Sequence, residues 1–176
     1  MESRYWKELL SATAKELAWK KNPKRLTFRR CEIIERDVIL SFFIIRRLIE
    51  LSRVSRKTID FKFAVFSCPF TGRKMSPIDR IGIEKSYDIE NERPITKKMG
   101  YIANQFIHST LFLITYNNSR NWDSFYIVSD FDKSNCVWRV PAKQVEQGFR
   151  VASNDYLEDF TYKFDAKIDD YKIKPI

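Results

Sequence analysis

The chain of 176 residues has little glycine, few cysteines and a single histidine. Its 4 glycines form no glycine-rich loop that could cradle a phosphate. Cys31, Cys68 and Cys136 are far apart and odd in number, which excludes a disulfide framework and a zinc site of paired cysteines. His108 alone cannot complete a histidine-rich zinc site. The sequence therefore predicts no metal and no cofactor, and a reducing cytoplasm as the location.

Long apolar segments are also missing. The longest nearly continuous apolar run, residues 38–45, is interrupted by Ser41. It is far shorter than the roughly 20 residues that a membrane-spanning helix needs. The N-terminus is charged and aromatic, whereas a signal peptide has an apolar core. We therefore expect no membrane partner.

Charged and aromatic side chains are abundant. The formal net charge is +9, 15% of the residues are aromatic and 44% are apolar, which is typical of one folded, basic domain spanning residues 1–176. Residues 1–60 hold 15 of the 32 Lys and Arg but only 8 of the 23 Asp and Glu. This basic excess suits RNA or DNA as the partner, and the alternative is a protein partner or a homodimer.

Hydrophobic periodicity predicts three helices in the first part of the chain. They are expected at residues 5–20, at about 24–51 and at 97–109, the last with Thr96 as its cap. Phe61, Phe63 and Val65 alternate with polar residues, which predicts a strand over residues 60–66. Residues 67–94 are irregular, and a loop of this length is more often functional than accidental.

The second part of the chain reads mainly as β-structure. The runs that predict strands of an antiparallel meander are residues 111–116, 124–130 and 136–140. Pro141 is expected to begin a short helix that ends at Gly148. Phe160, Tyr162 and Phe164 alternate in an expected last strand. Residues 169–176 are expected to be a tail. The predicted fold class is therefore α+β, with residues 1–109 mainly helical and residues 110–176 mainly β. A small antiparallel sheet from about residue 110 to 140 is expected to pack against the helices.

The second predicted helix has an apolar arc and a basic stripe. Arg25, Arg29, Arg36 and Arg47 project within about 40° of one another, opposite the apolar arc. Either the stripe is a solvated face in which Glu32 pairs with Arg36 at i,i+4, or it is a set of contacts to phosphates.

Three polar residues are candidates for one site between helices. Asp37 projects toward the apolar arc, and a buried carboxylate needs a partner. Asn104 and His108 lie one turn apart on the third helix, and His108 is the only side chain whose unperturbed pKa lies near neutrality. As a catalytic site, His108 would be the acid or base in RNA cleavage, Asn104 would orient the substrate or the imidazole, and Asp37 would hold the imidazole tautomer. Without chemistry, the three residues would form a network that fixes the helix register.

Residues 103–108, Ala-Asn-Gln-Phe-Ile-His, resemble the Arg-x4–6-His motif of HEPN ribonucleases. Those are helical proteins, often toxins or defence effectors, that cleave RNA without metal at a dimer interface. In this resemblance His108 matches the family histidine and Asn104 the polar residue that often follows the arginine, while Ala103 stands at the arginine position.

The stretches Arg36-Asp37 and 46–50 also look like parts of uncharacterised bacterial proteins, some of them from defence loci. From the sequence we therefore expect a non-catalytic binding or accessory protein of a bacterial defence or toxin system. It would act through its basic helical face on nucleic acid or a protein partner. The alternative is a metal-independent HEPN-like ribonuclease that uses His108.

Overall fold

The computed structural model describes residues 3–19, 27–73, 82–117, 122–157, 160–165 and 170–175. The helices in this part are α1 (Arg4–Trp19), α2 (Phe28–Glu50), α3 (Arg56–Ile59), α4 (Met99–Ile107) and α5 (Ala142–Ser153). The strands are β1 (Lys62–Pro69), β2 (Arg93–Lys98), β3 (Ser109–Tyr116), β4 (Trp122–Ser129), β5 (Cys136–Pro141), β6 (Phe160–Asp165) and β7 (Asp170–Pro175). The predicted α+β class is confirmed.

Five strands form an antiparallel sheet in the order β2-β1-β5-β4-β3. The predicted meander is its β3–β4–β5 half. The sheet is larger than predicted because β1 pairs with β5, and β2 pairs with β1 so that Lys98 lies opposite Lys62. No local pattern predicted β2, since a terminal strand with Pro94 and mostly exposed side chains lacks the alternation that marks a half-buried strand.

The main core lies between the helices and one face of the sheet. Phe42 of α2 is at its centre: its ring stacks on Phe106 of α4 at 4.4 Å and meets Phe149 of α5 edge-on at 4.9 Å. The sheet contributes Phe63 and Phe125, which are fully buried. Burial of several large aromatic side chains in one cluster supplies much of the free energy that holds helices on the sheet.

The other face of the sheet is covered by part of the segment that was predicted to be irregular. Tyr87 is 1% exposed there, and its hydroxyl donates to the carbonyl of Lys133 at 2.8 Å. Glu92 accepts two hydrogen bonds from Arg139 of β5, at 2.5 and 2.6 Å, and the Arg139 guanidinium lies 3.9 Å from the centre of the Phe66 ring. Residues 82–92 are therefore anchored to the sheet.

A buried polar cluster ties α1 to the end of α5. The Lys7 ammonium donates to the carbonyl oxygens of Asp155 and Arg53. The Asp155 carboxylate accepts hydrogen bonds from the Ser55 amide at 2.9 Å and the Thr58 hydroxyl at 2.5 Å. Burial lowers the pKa of Lys7, and the nearby Asp155 charge offsets part of that effect.

Two predicted helix boundaries are wrong. Thr96 is a residue of β2, opposite Ala64, so it does not cap α4, which begins at Met99. Gly148 does not stop α5, which continues to Ser153. A Cβ atom at Gly148 would lie 2.6 Å from Cζ of Phe63, so the glycine lets α5 approach β1 closely.

The C-terminal prediction is half right. The strand expected around Phe160, Tyr162 and Phe164 is confirmed as β6. The expected tail instead contains β7, which pairs with β6 in an antiparallel hairpin. Residues 24–26, where the second helix was predicted to begin, lie outside the described residues. In the described part of the chain, no helix is long and apolar enough to cross a bilayer.

Candidate nucleic-acid interface

The described residues of the predicted arginine stripe on α2, Arg29, Arg36 and Arg47, are exposed, and the charges of Arg36 and Arg47 are paired. Arg36 donates to a carboxylate oxygen of Asp37 at 2.7 and 2.9 Å, so the acid it contacts is not the predicted Glu32. Arg47 and its neighbour Arg46 donate to the two carboxylate oxygens of Glu50, at 2.8 and 2.9 Å. These hydrogen bonds lower the pKa of Glu50. Arg29 is exposed in the first turn, and Arg25 lies outside the described residues.

The three residues of the predicted catalytic site each contact a different partner. Asp37 bonds with Arg36, its neighbour in sequence. Asn104 is exposed on α4 and accepts a hydrogen bond from Arg46 at 2.9 Å. His108 is exposed directly after α4, and its ring meets that of Phe131 edge-on at 5.5 Å. The His108 amide donates to the Asn104 carbonyl at 3.0 Å, as the backbone bond that ends α4. Among residues that the structure describes, no side-chain hydrogen bond joins Asp37, Asn104 and His108 to one another, and their catalytic role stays a prediction.

A second basic surface, which the sequence analysis missed, lies where α3, β1 and β2 meet. We call it the basic corner, and it consists of Arg56, Lys57, Lys62 and Lys98. Ser55 caps α3 through a hydrogen bond from the Lys57 amide to its hydroxyl, and this single helical turn leads directly into β1. The antiparallel pairing of β1 with β2 then brings Lys98 opposite Lys62.

The basic corner surrounds one carboxylate, that of Asp60. The Lys98 ammonium donates to Asp60 at 2.8 Å, and this hydrogen bond is the largest cause of the lowered pKa of Asp60. The charges of Arg56 and Lys62 lower the same pKa further, which shows that they act on the same carboxylate.

Positive charge is therefore in excess at the basic corner. Its four cationic side chains are all exposed. Within the described ranges, Asp60 is the only carboxylate hydrogen-bonded to any of them. A concentration of exposed cations with one neutralising anion creates a local positive potential that attracts phosphate groups.

An aromatic cluster lies around Lys97, which is next to Lys98 in β2 and therefore points to the opposite face of the strand. The Lys97 ammonium lies 4.4 Å from the centre of the Tyr101 ring and 5.0 Å from that of Trp138. Asp132, in the turn after β4, fixes both rings: it accepts hydrogen bonds from the Tyr101 hydroxyl at 2.7 Å and from the Trp138 indole at 2.9 Å. Burial, together with this hydrogen bond, raises the pKa of Tyr101. Phe131, the residue before Asp132, is 71% exposed.

The basic corner could not be found from local sequence patterns. Its cations come from three short segments, and only the pairing of β1 with β2 brings Lys62 and Lys98 together. The available signal was the pair of basic dipeptides, Arg56-Lys57 and Lys97-Lys98, on either side of a segment that read as irregular.

Metal chemistry has no visible support in the part of the chain that the structure covers, where no group of three or more His, Cys, Asp or Glu side chains could hold a metal ion. The cysteines Cys31, Cys68 and Cys136 are free. No family model matches the chain, and neither a curated protein nor a solved structure matches it.

Proposed function

We propose that this chain is a non-catalytic nucleic-acid-binding protein whose basic corner contacts phosphate groups. The observation that carries the proposal is the convergence of Arg56, Lys62 and Lys98 on the single carboxylate of Asp60. A bound phosphate gains the attraction of all these cations and displaces their counterions into solution, which favours binding at low salt.

The α2 arginines contribute less in this proposal. Arg36, Arg46 and Arg47 already donate to carboxylates. To contact a phosphate, each would have to exchange one anion for another, and the gain is the difference between two similar interactions. The Phe131 ring, which is 71% exposed directly before Asp132, offers a separate surface on which a base can stack.

The biological setting is part of the same proposal. We keep the bacterial defence or toxin system as the setting, on the basis of the sequence resemblance. The cytoplasm is the proposed location because the three cysteines are free. The HEPN-like ribonuclease stays the alternative function, and the observation that favours it is the exposure of His108 near Phe131.

The test is a salt titration of binding by fluorescence anisotropy, with an RNA and a DNA duplex of equal length as the two probes. The parent protein should bind at low salt and weaken steeply between about 50 and 200 mM. The double variant Lys62→Ala/Lys98→Ala should reduce the slope of log K against log salt by about 2, one unit for each lost phosphate contact. The matched control is Arg36→Ala/Arg47→Ala, which removes the same charge from α2 and should reduce the slope by less.

Two results would overturn the proposal. If neither nucleic acid is bound at the lowest salt concentration, the protein partner becomes the leading hypothesis. If the parent protein cleaves the RNA and His108→Ala abolishes cleavage with an unchanged melting temperature, the ribonuclease hypothesis replaces it.

A further inference from the structure

The two terminal strands of the five-stranded sheet differ in how they meet solvent. β2 has Pro94 and the cations Arg93, Lys97 and Lys98, features that discourage pairing with another strand. β3, at the opposite end, is Ser-Thr-Leu-Phe-Leu-Ile-Thr-Tyr and has no charge and no proline. An uncharged apolar terminal strand of 8 residues is the kind of edge to which a further strand adds.

The backbone amides and carbonyls on the outer side of β3 can form hydrogen bonds to a further strand. The β3 backbone pairs with β4 along one side. Among the described residues, the backbone groups of 109–116 make no hydrogen bond to another backbone group outside that pairing. Phe112, Leu113 and Ile114 are only half-buried, although each packs against a core cluster. A strand added here would satisfy the outer amides and carbonyls and would cover the exposed parts of these side chains.

We propose that β3 pairs with β3 of a second copy, so that the two five-stranded sheets join into one continuous antiparallel sheet. A twofold axis at Leu113 places Phe112 opposite Ile114 of the other copy and Leu111 opposite Thr115. Because partners in an antiparallel pair share a face, this register continues both apolar faces of the sheet across the junction. The strand is therefore complementary to itself, as a twofold interface requires.

Charge favours a second copy at this edge over other surfaces of the chain. Two copies with a net charge of +9 repel each other, and this repulsion is smallest where the contacting strand has no charge. The basic corner lies on α3, β1 and β2, and these two strands are at the far end of the sheet. With about 4.8 Å between neighbouring strands, β2 is roughly 19 Å from β3, so the corners of a dimer point away from the junction.

The test is the oligomeric state of the full chain, measured by sedimentation over a concentration range from about 1 to 100 μM. We expect a monomer–dimer equilibrium in the parent protein. Leu113→Lys and Leu113→Glu each place two like charges opposite one another on the twofold axis, and each should raise the dimer dissociation constant at least about tenfold. An equimolar mixture of the two variants should restore dimerisation, because the introduced ammonium of one copy then faces the introduced carboxylate of the other. Thr96→Lys on β2 is the matched control and should change nothing.

A second measurement does not depend on variants that fold well. Amide hydrogen exchange within residues 109–116 of the parent protein should slow as concentration rises, while exchange in β2 stays constant. A parent protein that stays monomeric at the highest concentration overturns the inference. A dimer that both Leu113 variants leave intact, or that the mixture does not restore, also overturns it. None of these results depends on whether the basic corner binds nucleic acid.

Discussion

The exposed face of α2 and the basic corner both present several cations, yet they differ in where the carboxylates lie. On α2, the carboxylates of Asp37 and Glu50 accept hydrogen bonds from Arg36, Arg46 and Arg47. At the corner, the one carboxylate of Asp60 lies among three cations, Arg56, Lys62 and Lys98. A count of basic residues along a helix therefore does not locate a binding surface. The binding surface is located by the excess of cations over nearby anions, and this excess depends on the fold.

Charge reversal should separate the two regions most strongly. Lys62→Glu/Lys98→Glu and Arg36→Glu/Arg47→Glu change the net charge equally. The corner variant should lose about 100-fold in affinity for nucleic acid at about 100 mM salt. The reason is that two carboxylates, which repel phosphates, replace two ammonium groups, which attract them. The α2 variant should lose less than about tenfold, through the long-range field alone. Equal losses would show that net charge, and not the corner, governs binding.

Removal of a carboxylate should change binding more at the corner than on α2. Asp60→Asn frees Lys98 and should tighten binding about threefold, since the corner then has no anion to compete with a phosphate. Glu50→Gln frees Arg46 and Arg47 to the same extent. It should change affinity less than about twofold if α2 does not touch the ligand. Tighter binding by Glu50→Gln than by Asp60→Asn, measured by anisotropy, would place the ligand on α2.

Stability should change little in either region. The side chains of Arg46, Arg47 and Glu50 are 41%, 44% and 41% exposed, and water screens ion pairs as open as these. Glu50→Gln should therefore leave the midpoint of urea denaturation almost unchanged. Lys62→Ala should be neutral or slightly stabilising, because it removes repulsion among the corner cations. A large fall in the midpoint for Lys62→Ala would mean that its affinity data report unfolding.

The smallest effect is expected for His108→Ala. The His108 ring is exposed and contacts the exposed Phe131, so its removal should shift the melting temperature by less than about 2 °C. Binding should be unchanged if the corner makes the phosphate contacts. A fall in affinity without a fall in stability would extend the interface from the corner to the end of α4.

The sequence predicted those elements whose pattern is local. The apolar residues of α1 and α2 recur at helical spacing, and β3, β4 and β5 are separated by polar turns, so their existence and antiparallel order could be predicted. β2 could not, because its exposed residues have no apolar period. The extension of α5 through Gly148 could not either, because the reason for that glycine is Phe63, a residue remote in sequence.

The candidate site was predicted less well than the fold. Helical projection correctly placed Arg36 and Arg47 on the exposed side of α2. It could not show that Arg36 would bond with Asp37, the next residue, since that contact depends on rotamers and not on helical spacing. The basic corner requires Lys62 and Lys98 to meet across a strand pair, and a pairing between distant segments leaves no mark in either segment alone.

The close approach of α5 to β1 has an evolutionary consequence. Because a Cβ at Gly148 would lie 2.6 Å from the Phe63 ring, any other residue at position 148 forces this buried ring or α5 to shift. A smaller residue at position 63 would make room for it, at the cost of a cavity under α5. In chains that share this fold, the two positions should therefore change together. Such chains should have either Gly at position 148 with Phe at position 63, or a larger residue at position 148 with a smaller one at position 63. A change at either position alone therefore has a cost, a displaced ring for Gly148 and a cavity for Phe63, because helix and sheet are tightly packed here.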